Sequence, residues 1–98
     1  MRHRTVRFTD TFFTRLDEQL PDDRPTDGRP SVTDFLVFDI PTIRDRLAED
    51  TEGCTVTIPP GQTVRAYIGA GTLVARFVVY VIIRPDEAVD VIDVEIEI

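Results

Sequence analysis

The sequence predicts a single α+β domain with helices packed on one face of a twisted antiparallel sheet. Three observations lead there. A long stretch from Thr72 to Ile98 reads as two paired strands around a turn signal, in a register that makes one face almost wholly apolar and gathers arginine, tyrosine and carboxylates on the other. A shorter alternating segment opens the chain, and apolar residues at helical spacing lie between the two. With 98 residues, the chain has enough material for one core and one sheet, but not for two domains.

From Arg4 to Thr9, Val6 and Phe8 fall on one side and Thr5, Arg7 and Thr9 on the other, which predicts a half-buried strand. Asp10 is placed to cap a helix in which Phe12, Phe13, Leu16 and Leu20 recur at helical spacing, and Pro21 ends it. Residues 21–30, PDDRPTDGRP, combine three prolines, a glycine and polar residues, so a mobile surface loop is expected there. Ser31 and Asp34 have the spacing of a capping box and open a helical segment through Phe38, although FLVF also suits a short buried strand, leaving 31–40 open between the two. Pro41 suits the first turn of a further helix, with Ile43 and Leu47 facing inward and Gly53 marking its end. Cys54 to Ile58 reads as an extended segment before Pro59-Pro60-Gly61, and Thr63 to Ile68 as a strand that turns through Gly69-Ala70-Gly71-Thr72.

With Arg84-Pro85-Asp86-Glu87 as a four-residue turn, Ile83 falls opposite Ala88, Val79 opposite Ile92, Phe77 opposite Val94 and Ala75 opposite Ile96 on an apolar face. The other face then sets Tyr80 against Val91, Val78 against Asp93, Arg76 against Glu95 and Val74 against Glu97. A two- or four-residue loop before this hairpin sets Ile68 opposite Leu73, Ala66 opposite Ala75 and Val64 opposite Phe77, which keeps Arg65 and Tyr67 on the polar face.

A net charge of -7, with 18 acids against 11 bases, argues against a general grip on nucleic-acid backbones. All the bases are arginine, which suits bidentate pairing with carboxylate or phosphate. A lone cysteine, Cys54, excludes an internal disulfide and a cysteine metal cluster, and a cytoplasmic home is the expectation. No signal peptide is legible at the start, and the apolar run Phe77 to Ile83 is far too short to span a bilayer. His3, the sole histidine, cannot by itself build a relay or a histidine metal site, and neither metal nor cofactor is expected. Asp22, Asp23 and Asp27 lack the spacing of a calcium loop, Glu49, Asp50 and Glu52 read as a solvated helix end, and Gly69-Ala70-Gly71 feeds a strand rather than a phosphate-binding helix.

VRFTDTFFTRLDEQLP near the start, and VRAYIGAGTLVARFVVYVIIRPDEAVDVIDVEI at the end, resemble the opening strand and helix and the terminal meander of the RelE/ParE superfamily of toxin-antitoxin toxins. The resemblance spans roughly two thirds of the chain and implies a working face on the concave side of the sheet. Carried over by face, Arg65, Tyr67, Arg76 and Tyr80 become the candidate binding residues, joined by Asp93 and Glu95 on the last strand. Those carboxylates depart from the basic, histidine and tyrosine residues that ribonuclease members carry there. RNA cleavage without metal needs a base, an acid and a free cation, and a Glu95 opposite Arg76 cancels the cation.

Three readings follow. The resemblance implies a toxin-like protein that lacks the ribonuclease set and acts by binding a protein, either an antitoxin or a cellular target. The residues alone also suit a noncatalytic interaction module, with a homodimer expected through the apolar last strand. The third reading is a metal-independent endoribonuclease using Arg65, Arg76 and Tyr80.

Overall fold

The computed structural model describes residues 3–22, 28–61 and 63–97. In chain order they form β1 (Val6–Phe8), α1 (Asp10–Gln19), α2 (Val32–Phe38), α3 (Ile40–Cys54), β2 (Val56–Thr57), β3 (Val64–Gly69), β4 (Arg76–Ile83) and β5 (Val89–Glu97). The strands make one sheet in the order β1-β5-β4-β3-β2, antiparallel throughout except for the parallel pair β1 and β5. This is the expected α+β architecture, with helices on a sheet that ends in a three-stranded meander.

Local signals explain the helices. Thr9, rather than Asp10, is the N-cap of α1: its hydroxyl accepts from the Phe12 amide, and Asp10 stands in the first turn. Phe12, Leu16 and Leu20 are buried, while Phe13 turns 39% of its surface to solvent. The Ser31–Asp34 capping box forms with both hydrogen bonds, at 3.1 and 2.9 Å, and segment 32–38 is helical. In α3, Pro41 lies in the first turn and Ile43 and Leu47 face the core, as their spacing requires. The helix runs one residue past Gly53 but breaks stride at Asp50, whose φ of -154° is non-helical. The Asp50 carboxylate accepts from the Gly53 amide at 3.0 Å and so caps the final turn, Thr51 to Cys54, separately. Most of the loop expected over 21–30 lies outside the described residues; its flanks meet where the Val32 amide donates to the Pro21 carbonyl at 2.8 Å.

The core joins Phe12, Leu16 and Leu20 of α1, Phe35 of α2, and Ile43 and Leu47 of α3 to Tyr67, Phe77, Val79, Val81, Val89, Val91 and Val94 of the sheet. All three helices therefore cover the same sheet face.

Both expected registers need correction. In the hairpin of β4 and β5, Phe77 faces Ile96, Val79 faces Val94 and Arg76 faces Glu97, two places from the expected pairing; nearer the turn Ile83 faces Val89. Two causes add. The loop has three residues, not four, because the Arg84 amide donates to the Ala88 carbonyl (2.8 Å) and Glu87 takes a left-handed φ of 69°. Ile92 is then an extra residue in β5, a bulge between the Tyr80–Asp93 and Val81–Val91 pairs. A regular ladder in the expected register points Asp90 at the core. The observed one sends Val89 and Val91 inward and Asp90 outward, and the bulge restores the phase so that Val94 and Ile96 also turn inward.

The connection from β3 to β4 is six residues long, 70–75, and sets Gly69 opposite Phe77, Tyr67 opposite Val79 and Arg65 opposite Val81. That odd displacement exchanges the two faces of β3. Tyr67, expected on the polar face, is buried and stacks on Phe77 with centroids 5.9 Å apart. Arg65 shares its face because the end of α3 provides for it: Nε donates to the Thr55 hydroxyl at 2.6 Å, and an NH2 group donates to the Glu52 and Thr55 carbonyls. The long loop is anchored where the Thr72 amide donates to the buried Asp39 carboxylate at 2.7 Å, and Val74 folds back into the core.

The last strand, on which a homodimer was expected, is not an edge. It lies between β1 and β4, and beyond β1 its free side is occupied by α1 and the residue before it. Thr9 donates to the Val91 carbonyl through both amide and hydroxyl, and the Gln19 side chain donates to the Val94 carbonyl (2.7 Å) and accepts from the Ile96 amide (2.8 Å). Gln19 thus stands in for one residue of a neighbouring strand. Among the described residues no helix is long and apolar enough to cross a membrane.

Candidate functional site: the sheet face without helices

The pairings assign the outer face residue by residue. Val56 lies beside Ala66, Ala66 beside Tyr80 and Tyr80 beside Asp93; on either side of that row run Val64, Ile82, Asp90 and Arg7, and Ile68, Val78 and Glu95. The bulge adds Ile92 next to Tyr80. Strands β2 to β4 therefore give the face an apolar centre, and β5 gives it an acidic border.

Of the six residues expected to share a working face, Arg76, Tyr80, Asp93 and Glu95 do so, while Arg65 and Tyr67 lie on the opposite side under the helices. The expected Arg76–Glu95 pair is replaced by Arg76–Glu97, with both Nε (3.0 Å) and an NH2 group (2.7 Å) donating to one Glu97 oxygen. Glu95 instead engages the Tyr80 hydroxyl. Partial burial and then the Glu95 carboxylate push the Tyr80 hydroxyl above its ordinary value. Asp93 is held from the side by Arg15 of α1 at 2.9 Å, and Asp90 takes Arg7 at 2.6 Å and Arg84 at 3.6 Å.

Two shallow depressions mark the face, each of about 330 Å³. One lies between the Ile58-Pro59-Pro60 segment, which folds toward the sheet, and Val64, Tyr80 and Ile92. The other is bounded by Ile68, Val78, Arg76 and Glu95. Sequence reasoning missed Ile58, Val64, Ile68 and Ile92 as part of this surface. For Ile92 a signal was present: the apolar doublet Val91-Ile92 interrupts the alternation of VDVIDVEIE, as an inserted residue does. The positions of Val64 and Ile68 depend on the six-residue loop 70–75, which Asp39 anchors from another part of the chain by accepting from the Thr72 amide.

In chemical terms the face suits contact better than bond cleavage. Arg7, Arg76 and Arg84, its described arginines, each stand within ion-pair distance of a carboxylate. A tyrosine whose hydroxyl loses its proton only above the ordinary range is a weak base near neutrality. Off this face, burial raises the Tyr67 hydroxyl and the Cys54 thiol as well, which leaves the thiol unactivated. Among the described residues no cluster of His, Cys, Asp and Glu is arranged to hold a metal ion. No protein-family model, curated protein or solved structure matches the chain; what stands is its own α+β fold with a mixed five-stranded sheet and three helices.

Proposed function

We propose that this chain is a noncatalytic protein-binding domain whose contact surface is the helix-free face of the sheet. The observation that carries the reading is the placement of Val56, Val64, Ile68, Val78, Tyr80, Ile82 and Ile92 on a face to which no helix contributes, with Val56 and Ile68 more than half exposed. Apolar area of this kind, rimmed by charge, is the usual mark of a protein contact. The border of Asp93, Glu95 and Glu97 suits a partner with an apolar centre and a basic rim. Neutralised arginines and the raised Tyr80 hydroxyl favour binding over RNA cleavage.

A toxin-like protein of the RelE/ParE kind is the finer form of this reading. What favours it is the element order, a strand and helices followed by a terminal meander whose bare face is available to an antitoxin or a target.

Val78→Lys is the informative variant, because lysine opposite Glu95 keeps a compatible cross-strand pair while it interrupts the apolar surface. We expect a partner, identified by quantitative mass spectrometry after affinity capture, to be retained by the parent chain and lost from this variant at equal melting temperature. Purified chain that cleaves RNA, with cleavage lost in Arg76→Ala, would overturn the proposal in favour of a nuclease.

A further inference from the structure

The helix-free face carries one acid that no cation answers. Arg7, Arg15, Arg76 and Arg84 each stand within ion-pair distance of Asp86, Asp90, Asp93 or Glu97. Glu95 has no ion pair among the described residues, and its partner there is the Tyr80 hydroxyl. Arg76, which borders the same depression, is already held by Glu97 through Nε and an NH2 group. Glu95 is exposed, lies beside Val78 across the strands, and is the residue common to both depressions of the face. A carboxylate between two apolar hollows is complementary to a cation between two apolar side chains.

Spacing and backbone pairing restrict what can carry those three groups. Val64 borders one hollow and Ile68 the other, four residues apart on β3, while Tyr80 and Val78 border them two residues apart on β4. At about 3.3 Å per residue this sets the hollows about 7 to 13 Å apart. Side chains at i and i+7 of a helix are separated by about 10.5 Å along its axis and share one stripe with i+4. The backbone groups of β4 are spent in its ladders with β3 and β5. A segment laid on this face therefore finds none to pair with and must satisfy its own hydrogen bonds, as a helix does.

We propose that the face takes an amphipathic helix of a partner protein, with apolar side chains at i and i+7 in the two hollows and a lysine or arginine at i+4 on Glu95. This occupant presupposes the protein-binding role proposed above and names the chemistry of the partner. The apolar pair supplies contact area, and Glu95 selects the cation and sets which turn of the helix lies over β5.

The probes are eighteen-residue alanine-glutamine helices with leucine at the sixth and thirteenth positions and either lysine or glutamate at the tenth, titrated into the full chain. Backbone amide shifts measure both affinity and place. The lysine helix should bind tenfold or more tightly than the glutamate helix, shift Val78, Tyr80 and Ile92, and lose its advantage in high salt. Glu95→Lys, at an exposed position, should reverse the preference. Proline at the ninth position of the lysine peptide breaks its helix and should weaken binding tenfold or more. Absence of binding by the lysine helix would overturn the proposal, as would equal binding of the lysine and glutamate helices, undiminished binding of the proline peptide, or shifts gathered on α2 and α3. The wider role is judged separately. A captured partner lost from Val78→Lys but held unchanged by Glu95→Lys leaves the face a protein contact and removes the basic helix as its occupant.

Discussion

Replacing Gln19 by alanine tests the claim that a side chain substitutes for a strand along the outer half of β5. The amide of Gln19 makes two bonds to that strand, 2.7 Å to the Val94 carbonyl and 2.8 Å to the Ile96 amide, and is steadied by a third to the Arg15 carbonyl at 3.0 Å. At about 1 kcal/mol for each bond to β5, the loss comes to about 2 kcal/mol, since both backbone groups are part-buried and water replaces the amide imperfectly. For a domain of this size that lowers the melting temperature by about 10 °C. Denaturant unfolding measures the energy, and hydrogen exchange at the Ile96 amide tests the mechanism. Gln19→Glu adds a second comparison: its carboxylate still accepts from Ile96 but repels the Val94 carbonyl, so it should fall at least as low as alanine near neutral pH and recover as acid protonates it. An alanine variant as stable as the parent, with Ile96 equally protected, would refute the reasoning.

Glu87→Gly should stabilise the chain by about 0.5 to 1 kcal/mol, because a non-glycine residue at φ 69° carries left-handed strain; thermal melting decides it. Asp86 is held below the ordinary carboxylate range by the Ala88 amide first and Arg7 next. Its stabilising contribution is therefore present at neutral pH and lost as pH falls through that lowered value, below about 4, and Asp86→Asn should flatten this acid limb of the stability curve. Arg76→Ala should cost under about 1 kcal/mol, because both partners are well exposed, and the difference should shrink in high salt.

The helices were legible because their signals are local. Ser31 with Asp34, Pro41, and Ile43 with Leu47 act within a turn or two of themselves, and each sits where its spacing puts it. The sheet was legible in its strands but not in its pairings. A two-residue repeat identifies two faces without saying which turns inward, and that choice was made at a distance. Arg65 joins the helix side, where Glu52 and Thr55 at the end of α3 accept from it, and Asp39 anchors the next loop by accepting from the Thr72 amide. Within the candidate site, Tyr80, Asp93 and Glu95 kept their place because a displacement of two residues preserves the face, whereas Tyr67 lost it to a displacement of five.

The parallel pairing of β1 with β5 bears on how the molecule assembles. Arg7 and Asp90, linked across these strands, are 83 positions apart. Strand β1 can bind nothing in the sheet until β5 exists, so during synthesis it must wait while the 83 positions that separate Arg7 from Asp90 are made, and α1, which follows it directly, also lacks the surface it packs against. Hairpins β3 to β5 close over connections of six residues or fewer and can form early at low entropic cost, and the first strand and helix dock afterwards. Until they do, Val94 and Ile96 stand along an uncovered strand, and the acids interleaved with them discourage neighbouring copies from pairing there.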